Sequence, residues 1–341
     1  MTFSRRTFLK TGLSAAALPA GMAAWPVLRA GAQPVPSELV EAAKAEGRVV
    51  YYSSTNPALS QRLVDRFNRD YPGISVEIVR LATGPLAKRY AAEIEAGTIV
   101  ADILQMGDPL ILEDGYAKGW FANLADLPAH KAWPEAYRTE YSATVSLFPD
   151  TITYNTDKVK GDDVPRQWSD ILDPKWRDQI LMVDIRNVPQ TTAWAAFLQD
   201  TYGPDFLPRL RAQNPKFVAS TVPGTQMLAA GEAALLIPNL RMVSYSLIEQ
   251  GAPLDDSTAQ PVSGWGSALS ITKEAPHPNA ARLFTSFILS QPGQEALSKD
   301  VAASPLGSLP GALPLAEHFH FADIRATLPR AAELYKLLGL G

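Results

Sequence analysis

The chain has 341 residues, 46% of them hydrophobic, with 31 Lys and Arg against 35 Asp and Glu and no cysteine. A formal charge of −4 argues against nucleic acid or an anionic membrane as the main partner, although a local basic pocket can sit in an acidic protein. Without cysteine there are no disulfides, thiolate nucleophiles or thiolate metal sites, so stability rests on burial, and a chain this long suggests two lobes rather than one core.

Ser4-Arg5-Arg6-Thr7-Phe8-Leu9-Lys10 fills every position of the twin-arginine export consensus. An apolar stretch from Leu13 to Val27, short for a bilayer span, and the small-residue site Ala30-Gly31-Ala32 before Gln33 complete a secretory signal. Residues 1–32 are read as a twin-arginine signal peptide, and the mature chain as a soluble periplasmic protein. The signal holds Arg5, Arg6, Lys10 and Arg29 and no acid, which leaves 27 basic against 35 acidic residues, a mature charge of about −8.

From Ser37 onward, short β-branched or apolar runs alternate with longer amphipathic segments, the pattern of parallel strands joined by helical crossovers. A helix over Ser37–Glu46 ends at Gly47, a strand covers Arg48–Ser53, and Asn56 caps a helix from Pro57 to Tyr71. A strand Ser75–Arg80, a helix Pro85–Glu95, a strand Asp102–Met106 and a helix Pro109–Ala117 follow. Thr144–Tyr154 reads as an extended pair around Pro149-Asp150, a crossing between lobes. A second set comprises Trp168–Leu172, strand Ile180–Val183, helices Gln190–Tyr202, Pro204–Arg211 and Pro223–Ala230, strand Ala233–Ile237 and helix Asn239–Gln250. Gln260–Thr272 is the second crossing, and helices from Pro278 and Pro292 return to the first lobe, with a last helix over Ala322–Leu338. The expected fold is α/β and two-lobed, with residues 33–148 as the first part of lobe 1, 149–260 as lobe 2, and 261–341 as the return to lobe 1 with the C-terminal helices.

The common catalytic constellations are missing: no Gly-x-Ser-x-Gly elbow, no phosphate-binding P-loop, and Gly264-x-Gly266 lacks a third glycine. The four histidines, His130, His277, His318 and His320, offer little for zinc, and no metal site or cofactor is expected. Paired acids leave no local motif, so an exported hydrolase stays as a lesser alternative.

In such a fold a small polar ligand sits where strand C-termini and helix N-termini bound the cleft. Ser53, Ser54 and Thr55 follow the first strand and are ligand candidates, or plain capping residues of the next helix. Gly107 and Asp108 follow the third strand, where Asp108 is either a ligand group or an N-cap. Tyr154 faces the cleft or packs the hinge. Arg186 anchors a ligand or is held by Asp184. Thr221 and Thr225 flank a helix start that needs only one of them as a cap. Trp265, in the return crossing, reads first as core packing.

Several segments together resemble the periplasmic solute-binding proteins of ABC importers, in the group that includes the ferric-ion-binding proteins. They are Val50-Tyr51-Tyr52-Ser53-Ser54-Thr55, Ala101-Asp102-Ile103, Ile152-Thr153-Tyr154-Asn155-Thr156-Asp157-Lys158-Val159, the Trp168-x-Asp170-Ile171-Leu172-Asp173-Pro174 run, Gly231-Glu232-Ala233, and Ala280-Ala281 through Gln294. The resemblance implies the type II periplasmic binding fold, closure over a small-molecule solute, delivery to an inner-membrane ABC permease, no enzymatic chemistry, and a monomer. Ferric members carry adjacent tyrosines just after the strand that follows the Gly-Glu motif. Here that stretch is Ile237-Pro238-Asn239-Leu240-Arg241, so Asn239 and Arg241 become candidates and a fixed cation replaces a phenolate. Arg241 would repel Fe3+ but suits a carboxylate or phosphonate, which makes an anionic solute the expectation and ferric iron the alternative.

Overall fold

The computed structural model describes residues 35–341; the twin-arginine segment and its cleavage site lie outside the described residues. The first elements are α1 (Ser37–Glu46), β1 (Arg48–Ser53), α2 (Pro57–Asp70), β2 (Ser75–Arg80), α3 (Thr83–Glu95), β3 (Ile103–Met106), α4 (Pro109–Ala117), α5 (Pro128–Lys131) and β4 (Ala143–Asn155). They are followed by β5 (Ile180–Val183), α6 (Pro189–Tyr202), α7 (Phe206–Ala212), β6 (Lys216–Val218), α8 (Thr221–Ala229), β7 (Leu235–Leu240), α9 (Arg241–Glu249) and β8 (Leu254–Ser257). The last are β9 (Val262–Ile271), α10 (Pro278–Ile288), α11 (Gln291–Ser298), β10 (Phe319–Phe321), α12 (Ile324–Thr327) and α13 (Ala331–Leu337). The fold is the mixed α/β type expected.

Local chemistry sets the element ends. Gly47 closes α1 at φ 70, where a side chain would be strained, and Asn56 accepts the Ala58 N–H at 2.8 Å ahead of Pro57 to start α2. In lobe 1, β1 pairs in parallel with both β2 and β3. Val49 and Tyr51 enter one core with Leu63 and Phe67, and Val50 and Tyr52 enter the other with Leu86 and Tyr90. Burial on both faces is why this strand reads as an unbroken apolar run. Lobe 2 repeats the plan: β5 lies in parallel between β6 and β7, with Trp168, Trp194 and Leu207 on one face and Leu228 and Val218 on the other.

One strand joins the lobes. The expected extended pair around Pro149-Asp150 is instead the single 13-residue β4, which changes partners at that dipeptide. Ala143–Pro149 run antiparallel to β9 of lobe 1, and Asp150–Tyr154 run antiparallel to β7 and β8 of lobe 2. At the handover Gly264 sits opposite Pro149, and a Cβ there would collide with the Phe148 carbonyl oxygen. Glycine is needed for this close backbone approach, not for its φ.

Two boundaries differ in ways that matter. β7 continues through Pro238 to Leu240, three residues beyond the expected end, so α9 starts at Arg241 rather than Asn239. Pro238 is tolerated because the β4 register shifts between Thr151 and Thr153, where the absent N–H would otherwise leave a gap in the ladder. The helix expected over 322–338 is α12, a 3-10 turn at Leu328–Arg330 containing Pro329, and α13. Leu334 and Leu338 pack into the lobe 2 core with Trp194 and Leu210, although the sequence groups this tail with lobe 1.

Candidate functional site

The C-terminal ends of β1 and β2 face α8 and α9 across a cavity of about 330 Å³. Lobe 1 supplies Ser54, Asn56, Pro57 and Arg80. Lobe 2 supplies Val222, Thr225 and Gln226 from α8, and Met242, Val243, Ser246 and Leu247 from α9. Arg80 is the one charged residue in this wall, and it has no carboxylate within ion-pair distance among the described residues. Its Nε donates to the Thr55 carbonyl at 3.4 Å, which orients the guanidinium along the β1–α2 loop. A second cavity, of about 500 Å³, lies on the outer face of lobe 1 between α1, α5 and α10, away from the strand C-termini, and is walled largely by Leu39, Tyr71, Trp133 and Phe287.

A buried frame holds the lobe 1 side. The Gln105 amide donates to Thr55 Oγ1 at 3.2 Å and to Ser267 Oγ at 3.1 Å, and its oxygen accepts from the Tyr51 hydroxyl. Ser53 Oγ accepts the Thr55 N–H at 3.1 Å and lies 3.5 Å from Ser60 Oγ. Ser53 and Thr55 are therefore buried scaffold, and Ser54 is the loop hydroxyl that reaches the cavity. Asn56, expected as a cap, is both cap and wall.

The other candidates separate. Thr225 reaches the cavity with its hydroxyl already donated to the Thr221 carbonyl at 2.7 Å, so Thr221 contributes a backbone acceptor. Asn239 is a buried β7 residue behind Thr225, donating to Thr225 Oγ1 at 3.1 Å and to Thr153 Oγ1 at 2.8 Å. Asp108 caps α4 through the Leu110 N–H at 3.0 Å, and Gly107 lies under the Trp265 ring, which would collide with any Cβ. Tyr154 packs lobe 2 and donates to Asp255 at 3.3 Å. Arg186 is doubly bound to Asp184, with Nη2–Oδ2 at 2.7 Å, and donates to the Leu340 carbonyl in a groove beside α12 and α13. It is a structural pair.

Arg241, the anchor suggested by the sequence, is engaged elsewhere. Its Nη1 lies 3.2 Å from Asp256 and 3.4 Å from Asp255, and its Nε donates to the Asp300 carbonyl of lobe 1 at 3.0 Å. The Asp256 side chain is 3% exposed and also accepts from Ser244 and Thr153, each at 2.5 Å. Burial lifts the Asp256 carboxyl above the usual range, against the pull of those hydroxyls and of Arg241. Burial and then Asp255 raise the Tyr154 phenol above its ordinary value, and burial and then Asp300 raise that of Tyr245.

Sequence reasoning missed Arg80, Gln226, Met242 and Ser246. The signal for Arg80 was available: it ends the strand beside β1, so the rule that selected Ser54 selects it too. The α8 and α9 residues carry no local signal.

Residues 52–295 match the bacterial extracellular solute-binding protein family, and the chain belongs to it; such proteins are the substrate-binding components of ABC transporters. An uncharacterized protein of Haemophilus influenzae is 26% identical over 270 residues, 74% of this chain and 76% of its own. The fold is similar to the substrate-binding protein of an ABC transporter from Agrobacterium tumefaciens, with TM-score 0.70 and 14% identity over 85% of this chain and 94% of that one. It is also similar to iron-bound HitA from Pseudomonas aeruginosa, with TM-score 0.63 and 20% identity over 85% and 98% of the chains. AfuA from Actinobacillus pleuropneumoniae, with fructose-6-phosphate bound, gives TM-score 0.61 and 20% identity over 86% and 96%. At these identities the likeness shows the fold, that of the type II periplasmic binding proteins.

Proposed function

We propose that this protein, exported by the twin-arginine route, captures a small anionic solute between its lobes and presents it to an ABC permease. The observation that supports the reading is Arg80, a cation at a strand C-terminus that lines the cleft with no carboxylate within ion-pair distance among the described residues. Ser54 and Gln226 supply uncharged hydrogen-bonding groups around it. The same wall contains no Tyr, Asp or Glu, the anionic oxygen donors a hard trivalent cation prefers, and no His. The wall therefore favours an anion over ferric iron.

A ligand at a hundred times its Kd stabilises a protein by about 2.7 kcal/mol, which a thermal-shift panel of carboxylates, phosphonates and sulfonates reads directly. Arg80→Ala is expected to weaken such an anion about 10- to 100-fold, the worth of one charge-assisted hydrogen bond. Arg80→Lys should recover part of it. Stabilisation by Fe3+ with carbonate, with none by any organic anion, defeats the proposal. For the export route, replacing Arg5 and Arg6 by Lys is expected to leave the precursor in the cytoplasmic fraction; normal periplasmic recovery of that variant argues for another route.

A further inference from the structure

The two sides of the cleft are chemically unlike. Lobe 1 presents Ser54, Asn56 and Arg80 beside Pro57, whereas four of the seven lobe 2 residues, Val222, Met242, Val243 and Leu247, are apolar, and Thr225, Gln226 and Ser246 are the polar ones among them. Val222 is 54% exposed and lies next to Met242, Val243 and Leu247 in the cavity wall. From this division we infer that the solute is amphiphilic: a single anionic group held by Arg80, joined to an unbranched or aromatic hydrocarbon body that closure lays on α8 and α9. This rests on the anion reading above and narrows it.

Four features argue for that class over a sugar phosphate or a polycarboxylate. One guanidinium neutralises one negative charge, and a second anionic group would enter the closed cleft unpaired, at a large desolvation cost. A sugar body would set several hydroxyls against the side chains of Val222, Met242, Val243 and Leu247, which offer no oxygen or nitrogen, with Gln226 and Ser246 as the hydrogen-bonding side chains on that wall besides Thr225, whose hydroxyl is already donated. Met242 is flexible and polarizable, so the wall can adapt to bodies of different shape. A cavity of about 330 Å³ lies at the small end of ligand pockets, which suits a short acid and not a long lipid.

The test is calorimetric titration of the mature protein with butyrate, hexanoate and octanoate, with hexanesulfonate and benzoate, and with hexanol, citrate, inorganic phosphate and glucose 6-phosphate as contrasts. Affinity is expected to rise about fourfold per added methylene until the cavity is filled, the increment for burying one CH2 group. Binding should carry a negative heat-capacity change. In Val222→Ser and Met242→Ser the chain-length slope should flatten while the dependence on Arg80 remains. Val222 is exposed enough that its replacement leaves the fold intact. Arg80-dependent binding that is flat across the series, or tightest for citrate, phosphate or glucose 6-phosphate, overturns the amphiphile and leaves the anion reading standing. Equal binding of hexanol and hexanoate also overturns it. If no anion in the set binds, both readings fall together.

Discussion

Asp150→Asn is expected to remove about 4 kcal/mol of pH dependence from the stability of this protein between pH 4 and 7. Asp150 stands at the residue where β4 passes from lobe 1 to lobe 2; it is buried, and its carboxylate accepts one hydrogen bond, from Ser263 Oγ at 2.7 Å. Burial pushes its carboxyl up to about 7, with Ser263 pulling the other way. The ordinary value is 3.8. A carboxyl raised on folding binds its proton more tightly in the folded state, so its contribution is fully present below about pH 4 and is lost as pH rises to about 7. A shift of this size corresponds to about 4 kcal/mol at 1.36 kcal/mol per unit. Urea unfolding of the parent and of Asp150→Asn at pH 4, 5.5 and 7.5 should show the two curves diverging in that window. Parallel curves would mean that Asp150 is solvated or already paired.

Arg241→Ala should destabilise the fold by about 3 kcal/mol without abolishing anion binding in the cleft. Removing the guanidinium leaves the buried Asp256 carboxylate with only hydroxyl donors from Ser244, Thr153 and Thr151, and breaking a buried pair from one side costs about 3 to 5 kcal/mol. It also removes the bond from lobe 2 to the Asp300 carbonyl of lobe 1. The lower end of the range applies because Asp256 keeps its hydroxyl donors and Arg241 is 24% exposed. Arg241→Ala combined with Asp256→Asn should restore much of the loss, since the unpaired charge is gone. Denaturant midpoints for the four proteins of this cycle give the coupling energy. A loss of ligand binding with stability unchanged would return Arg241 to the role of ligand anchor.

These two residues show how far chain order carries. Most of the alternation of strands and helices was legible because it is local: Gly47, the Asn56-Pro57 cap and the unbroken apolar run of β1 each act over a few residues. Ser54 was legible for the same reason, as the loop after a strand end. Three short strands were not. β6, β8 and β10 have three, four and three residues, and β8 reads Leu-Asp-Asp-Ser, so its strand conformation comes from pairing with β4 rather than from its own propensity. The end of β7 was misplaced because Pro238 reads as a terminator, whereas the irregularity in β4 opposite it absorbs the missing N–H.

The sequence by itself determined the α/β class, the family, and the kind of residue that ends each strand at the cleft. Only the tertiary structure decided which cation is available to a ligand. Arg80 and Arg241 are alike in isolation, but β8 brings Asp255 and Asp256, 14 and 15 residues away in the chain, to Arg241, and among the described residues no carboxylate comes comparably close to Arg80. The reason is the short reach of charge pairing: a guanidinium is neutralised by carboxylates about 3 Å away, and which groups stand at that distance is set by the packing of β4, β8 and α9.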